Sequence, residues 1–441
     1  MSNFFPFGGG TSGDDDPFAA MNMFLQDMSR MFSGQGSGSW DAAGQLAGSI
    51  ADEGRSEPNV DPAERQAIEQ LTRVAELQVG GITGRRIDDP LRTEPLTRAQ
   101  WARRFLDDER PLLEQLSGSI GAALQAQLGE LDADGDGLGD LGLPQMPGMS
   151  PEAMLRQMMQ LMGPMLLGMM AGSTAGHLGT RALGHYELPL SRPAAGPLTM
   201  ALSNVDGFAD DWSLPRDGIR LWVCCSDVAH HQVLTLPHVR SHLDGLLERY
   251  VSAFSEDPEQ IELRMRDLGI EDMLGSGGSE PELEALQRLA GDPEVLLGAM
   301  QSDEQRELMP RIEAVVATVE GYVDWVLDQI GARLIPEYDR ATEALRRRRV
   351  EAGPASRFVE RLFGLELSQA TFDRGSAFVD GVVERAGASA LEQLWADAEH
   401  LPTPAELEAP GLWLARVGID GDQLDLGEVS FEVPDFPDLD A

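Results

Sequence analysis

Hydrophobic residues recur three and four positions apart over most of this chain, a spacing that predicts a mainly α, multihelical body. The first strong start is DPAERQAIEQLTRVAELQ, where Asp61, a proline in the first helical position and periodic apolar residues coincide. Thr97 opens another helix through TRAQWARRFLDDERPLLEQL. Helical spacing returns from 151 to about 185, across 222–232 and 239–254, and in 257–268, 280–300, 303–330, 338–349, 356–365, 372–385 and 388–398. Only residues 187–202, with Leu188, Leu190, Leu198 and Leu202 among prolines, read as extended, so any β element is small. No repeat of solenoid length is present.

The same pattern divides the chain. Residues 1–60, rich in Gly, Asp and Met, are expected to be disordered, with one amphipathic candidate in PFAAMNMFLQDMSRMF. An N-terminal helical segment follows at 61–127, an acidic linker at 128–150, a helical domain at 151–418 and an acidic tail at 419–441. From Gln157 to Thr180 no residue is fully charged, a length close to the ~20 residues of a membrane span. Gln160, Gly163, Pro164 and Gly168 lower its hydrophobicity, which favours a methionine-packed core helix, or a pair broken near Pro164, over a span.

Charge narrows the function classes. The net charge is −40 and every basic residue is an arginine, so nucleic acid and anionic lipid would be repelled. Cys224 and Cys225 are adjacent and form no disulfide framework, which suits a reducing, cytoplasmic setting. The opening MSNFFPFGGGTSGDDDPF has neither the basic start nor the apolar core of a signal peptide.

Three stretches could carry chemistry. In LDADGDGLGD, Asp132, Asp134, Asp136 and Asp140 surround a Gly turn as in a calcium loop, although Leu143 stands where a bidentate Glu would close it. An Asp/Gly linker in so acidic a chain reads the same way without calcium. Arg346 to Arg349 end a helix, where basic residues complement the dipole and a solvated terminus is expected. In WVCCSDVAHHQ, the run SDVAH fills the frame of a zinc-binding HExxH helix. Ser226 takes the first ligand position, Asp227 that of the general base and His230 the second ligand position. The helix is apolar nearly all round, as a central buried helix would be. Cys224, Asp227 and His231 share another stripe and could form a shifted metal site.

GIRLWVCCSDVAHHQVLTLPHVRSHLDGLLERYVSAF, with VEGYVDWVLDQIG, RFVERLFGLEL, FDRGSAFVDGVVERAG and LEQLWADAEHLPTPAELEAPGLWLARVG, resembles the actinobacterial zinc-dependent metalloprotease-like (zincin-like) family over roughly residues 61–418. That family commonly shows RLWVCLHEVxHHxVL followed by PHVRxxL. The resemblance implies a zincin-like body, zinc as cofactor and a protein or peptide substrate or partner. It also implies that Glu320 is a further metal ligand, with Asp324 one turn on orienting a ligating histidine. Without it, Glu320 and Asp324 read as a helix-surface carboxylate pair in an acidic protein. A catalytic zinc takes three protein ligands and a water, whereas His230 and Glu320 supply two. Loss of a positioned base costs a further ~10²- to 10⁴-fold. The expectation is a metallopeptidase-like protein with impaired catalysis that acts by binding. The alternatives are an active hydrolase with an atypical metal site and an acidic calcium-responsive scaffold.

Overall fold

In the computed structural model, residues 37–119, 168–254, 301–351 and 354–419 are described, apart from 86, 88, 117, 193 and 194. The first described element, α1 (Ser37–Ala51), lies within the front assigned above to disorder. Ala43, Ala47 and Ala51, at helical spacing, are fully buried, and the Arg103 guanidinium donates to the Gly44 carbonyl at 3.1 Å. The buried face is built of alanine and glycine, so the helix carries little large-residue periodicity. The folded body therefore begins by Ser37 rather than near Asp61.

The capping chemistry is in place at both anticipated starts. Asp61 accepts from the Ala63 amide at 2.7 Å to open α2 (Pro62–Thr83), which ends at the left-handed Gly84. β1 (Thr93–Leu96) leads into α3 (Arg98–Asp108) through a capping box between Thr97 and Gln100. β2 (Leu198–Ala201) falls inside the extended stretch and pairs in parallel with β1, Thr93 opposite Leu198 and Leu96 opposite Ala201. β1 itself escapes the pattern, because the four residues TEPL include a proline and show no alternation.

The remaining elements are helical: α4 (Leu202–Asp211), α5 (Arg216–Leu234), α6 (Pro237–Ser252), α7 (Asp303–Leu334), α8 (Tyr338–Val350), α9 (Pro354–Leu362) and α10 (Gln369–Ala386). Two 3₁₀ segments (Ala388–Trp395 and Ala398–His400), α11 (Pro404–Glu408) and α12 (Pro410–Arg416) follow. At the centre is α5, in which every residue from Gly218 to Leu234 is buried. It packs against α2, α4 and the 32-residue α7, and α7 crosses α10 in the most extensive helix contact. That crossing needs two glycines, since a Cβ at Gly321 would overlap the Gly375 carbonyl and one at Gly375 would overlap that of Ala317.

No helix of the described residues is long and apolar enough to cross a membrane. Of the Met-rich stretch, residues 168–179 are helical, with Ala171, Ala175 and Leu178 buried; Pro164 lies outside the described residues. So do the helices expected at 257–268 and 280–300, the linker with Asp132, Asp134, Asp136 and Asp140, and residues 420–441 of the tail. The arginine run departs from expectation. Arg346 and Arg347 are exposed, whereas Arg348 and Arg349 turn inward with most of their surface covered.

Candidate active site

Packing α5 on α7 brings together two residues 90 positions apart. His230 Nε2 lies 3.2 Å from Glu320 Oε1, and both side chains are buried. The other ring nitrogen, Nδ1, is 2.9 Å from the Ser226 carbonyl, which can only accept, so Nδ1 carries a proton. Nε2 then either bears a lone pair or, on a second protonation, donates to Glu320. Burial opposes charge on both partners and is the largest single influence. Their mutual attraction, joined by the Ser226 carbonyl and Asp227 at the histidine and by Arg349 at the glutamate, outweighs it, holding His230 above its ordinary pKa and Glu320 below.

Asp324 does not orient a histidine. Both its oxygens accept from Arg349 Nη1, at 3.0 and 3.1 Å, while Arg349 Nη2 lies 3.8 Å from Glu320 Oε2. The guanidinium rests over the rings of Phe372 and Trp222, with centroids at 5.0 and 5.8 Å. An arginine from α8 thus borders the carboxylate that the family resemblance assigns to metal.

The two remaining positions of the HExxH frame line the same space as His230 and Glu320 but make their hydrogen bonds away from His230 Nε2. Ser226 Oγ lies 3.4 Å from His230 Nδ1, on the side of the ring away from Nε2 and Glu320. Asp227 accepts the amides of His185 at 2.8 Å and Tyr186 at 3.1 Å, one on each oxygen. The close approach needs Gly184, where a Cβ would stand 2.5 Å from Asp227 Oδ2. Burial pushes the Asp227 carboxyl up to about 6, with the two amides pulling against it. This carboxylate is a clamp on the loop, each oxygen holding one backbone amide. Tyr186, fixed by the clamp, stacks on His230 at 5.5 Å between centroids, and its hydroxyl meets His231 Nδ1 at 3.0 Å.

The stripe of Cys224, Asp227 and His231 is likewise occupied. Cys224 Sγ sits 3.8 Å from the Thr72 hydroxyl, and burial raises its thiol above its ordinary pKa and lowers His231 to about 4. Among the described residues, no three His, Cys, Asp or Glu side chains converge as a metal site. A catalytic zinc needs three donors. This donor set, one imidazole and one carboxylate already facing a guanidinium, does not fit it.

Between the helices remains a cavity of about 80 Å³, lined by Trp222, Ser226, His230 and Glu320 and by Glu187, Arg348, Arg349 and Glu360. That is room for a few waters or the end of one side chain, well below the several hundred Å³ of a small-molecule pocket. The sequence reading missed Glu187, Arg348, Arg349 and Glu360. For Arg349 a signal exists: Ala341 and Leu345 mark the buried face of α8, and four residues on is Arg349.

Burial pushes the Glu360 carboxyl from its ordinary 4.5 up to about 7, against the pull of Arg181 and the Leu367 amide. The folded state holds this proton longer than the unfolded chain. Its contribution to stability is therefore greatest below pH 4.5 and is lost as pH rises through about 7. Chemical denaturation of Glu360→Gln against the parent is expected to show that this decline, about 3 kcal/mol, has disappeared.

A helical body whose central helix sets an HExxH-frame histidine against a glutamate of a second helix defines a metallopeptidase-like protein. The chain belongs to the Zincin-like metallopeptidase family, whose model matches residues 39–414, including all but the first two residues of α1. It is similar in structure to a protein from Chloroflexus aurantiacus described as a "putative hydrolase with a novel fold". The TM-score is 0.58 at 21% identity, over 86% of this chain and 99% of that one. At that identity the likeness speaks for the fold alone. No curated protein matches the chain in sequence.

Proposed function

We propose that this zincin-like protein no longer works as a zinc hydrolase and uses its old cleft to recognise a polar peptide group. The observation that carries this reading is the disposition of the HExxH frame. Ser226 offers no imidazole, Asp227 holds a backbone amide on each oxygen, and the only frame residue that meets Glu320 among the described hydrogen bonds is His230. The recognition half rests on the cavity, where Arg348, Arg349, Glu187 and Glu360 place opposite charges around a space suited to a side-chain end or a terminus.

A tryptic digest of casein, incubated with the chain and added zinc, is expected to be recovered uncleaved by mass spectrometry. A subset of its peptides should be retained on the immobilised chain. Leu345→Phe, which fills the cavity from α8, should abolish that retention. New products that vanish in His230→Ala would overturn the loss of hydrolysis, and retention unaffected by Leu345→Phe would overturn recognition in this cleft.

A further inference from the structure

Two carboxylates of α7, Glu320 and Asp324, lie one helical turn apart, and each is more than four-fifths buried. Carboxylates this deep require a compensating cation. The structure supplies it from the chain itself: Arg349 spans both, bonded to the two oxygens of Asp324 and facing Glu320 Oε2 across 3.8 Å. The guanidinium is fixed in place by the rings of Phe372 and Trp222. His230 stands at the other oxygen of Glu320, with Nε2 the only ring nitrogen not committed to a carbonyl.

We infer that Arg349 is the resident cation of a latent divalent-metal site, and that its charge, as much as the missing imidazole at Ser226, keeps metal from the His230–Glu320 pair. The inference rests on the reading of the cleft as one that does not hold zinc. Its physical basis is direct. An ion bound between His230 and Glu320 would share that carboxylate with a fixed positive charge, and two donors cannot outweigh the repulsion. Without the charge, the imidazole and Glu320 become available to one ion, with water completing its shell. Cobalt(II) and zinc, which take imidazole and carboxylate together, are the class such donors suit.

The test is a cobalt(II) titration of the full chain, read by visible absorption and by thermal shift. The parent and Arg349→Lys, which keeps a cation, should show no saturable cobalt band. Arg349→Gln should bind one equivalent at least ~15-fold more tightly than the parent, the factor for removing one charge ~5 Å from a divalent ion even at the dielectric of water. Adding His230→Ala should reverse the gain. Should Arg349→Gln fail to fold, the pair Arg349→Gln with Asp324→Asn removes both members of the ion pair and leaves His230 and Glu320 to be titrated. An Arg349→Gln protein, or that pair in its place, binding no more tightly than the parent would overturn the inference alone. A gain of equal size in Arg349→Lys would overturn it too, since space rather than charge would then be the cause. Tight binding by the parent would overturn both this inference and the zinc-free reading.

Discussion

Replacing Asp227 with alanine is expected to destabilise the chain by about 4 kcal/mol, measured by chemical denaturation at neutral pH. The carboxylate is the partner of two consecutive backbone amides, those of His185 and Tyr186, in a fully buried setting. Its removal leaves both donors unsatisfied, each costing roughly 1 to 3 kcal/mol. The loop it releases carries Tyr186, so the ring stacked on His230 and the hydroxyl bonded to His231 loosen as well. Asp227→Asn, which retains one acceptor, should lose about half as much. A general base free to act on water would behave differently, since its truncation would leave stability nearly unchanged. A loss below about 1 kcal/mol would remove the clamp from the account.

Gly321→Ala is expected to be as damaging, at about 3 kcal/mol or more, with Gly375→Ala close to it. Each added methyl would enter the backbone of the opposing helix, which cannot move aside as a side chain can. The helices must separate, and Glu320, the neighbour of Gly321, moves with α7 away from His230. Gly207, where an added Cβ meets nothing, is the control, and alanine there should leave stability within about 0.5 kcal/mol. Equal midpoints for Gly321→Ala and Gly207→Ala would show that α7 and α10 do not meet at these glycines.

Part of this was legible in the sequence. Helix starts at Asp61 and Thr97 carry their capping residues in the letters, and a central, wholly buried α5 follows from apolar residues on all its faces. The front helix α1 was not legible because alanine and glycine pack it, and β1 was not because four residues hold too little pattern. At the site, the HExxH frame located His230, but its approach to Glu320 spans 90 residues and no local periodicity reports it. The family resemblance did. The frame placed Asp227 as a base and the resemblance placed Asp324 beside a histidine, whereas their bonded partners are backbone amides, which leave no mark in the sequence, and Arg349, which the helix dipole alone would leave at a solvated terminus. Where a side chain's partner is main chain or lies on a distant helix, its residue type does not reveal its task.

The claim at the centre of this account is that the His230–Glu320 pair is not a three-ligand zinc site. Dialysis of the parent chain against buffers of fixed free zinc, with bound metal counted by mass spectrometry, tests it most directly. At nanomolar free zinc, where a full catalytic site would be occupied, the account predicts well under one tenth of an equivalent, unchanged by His230→Ala. One equivalent retained at that concentration, and lost in His230→Ala, would contradict it.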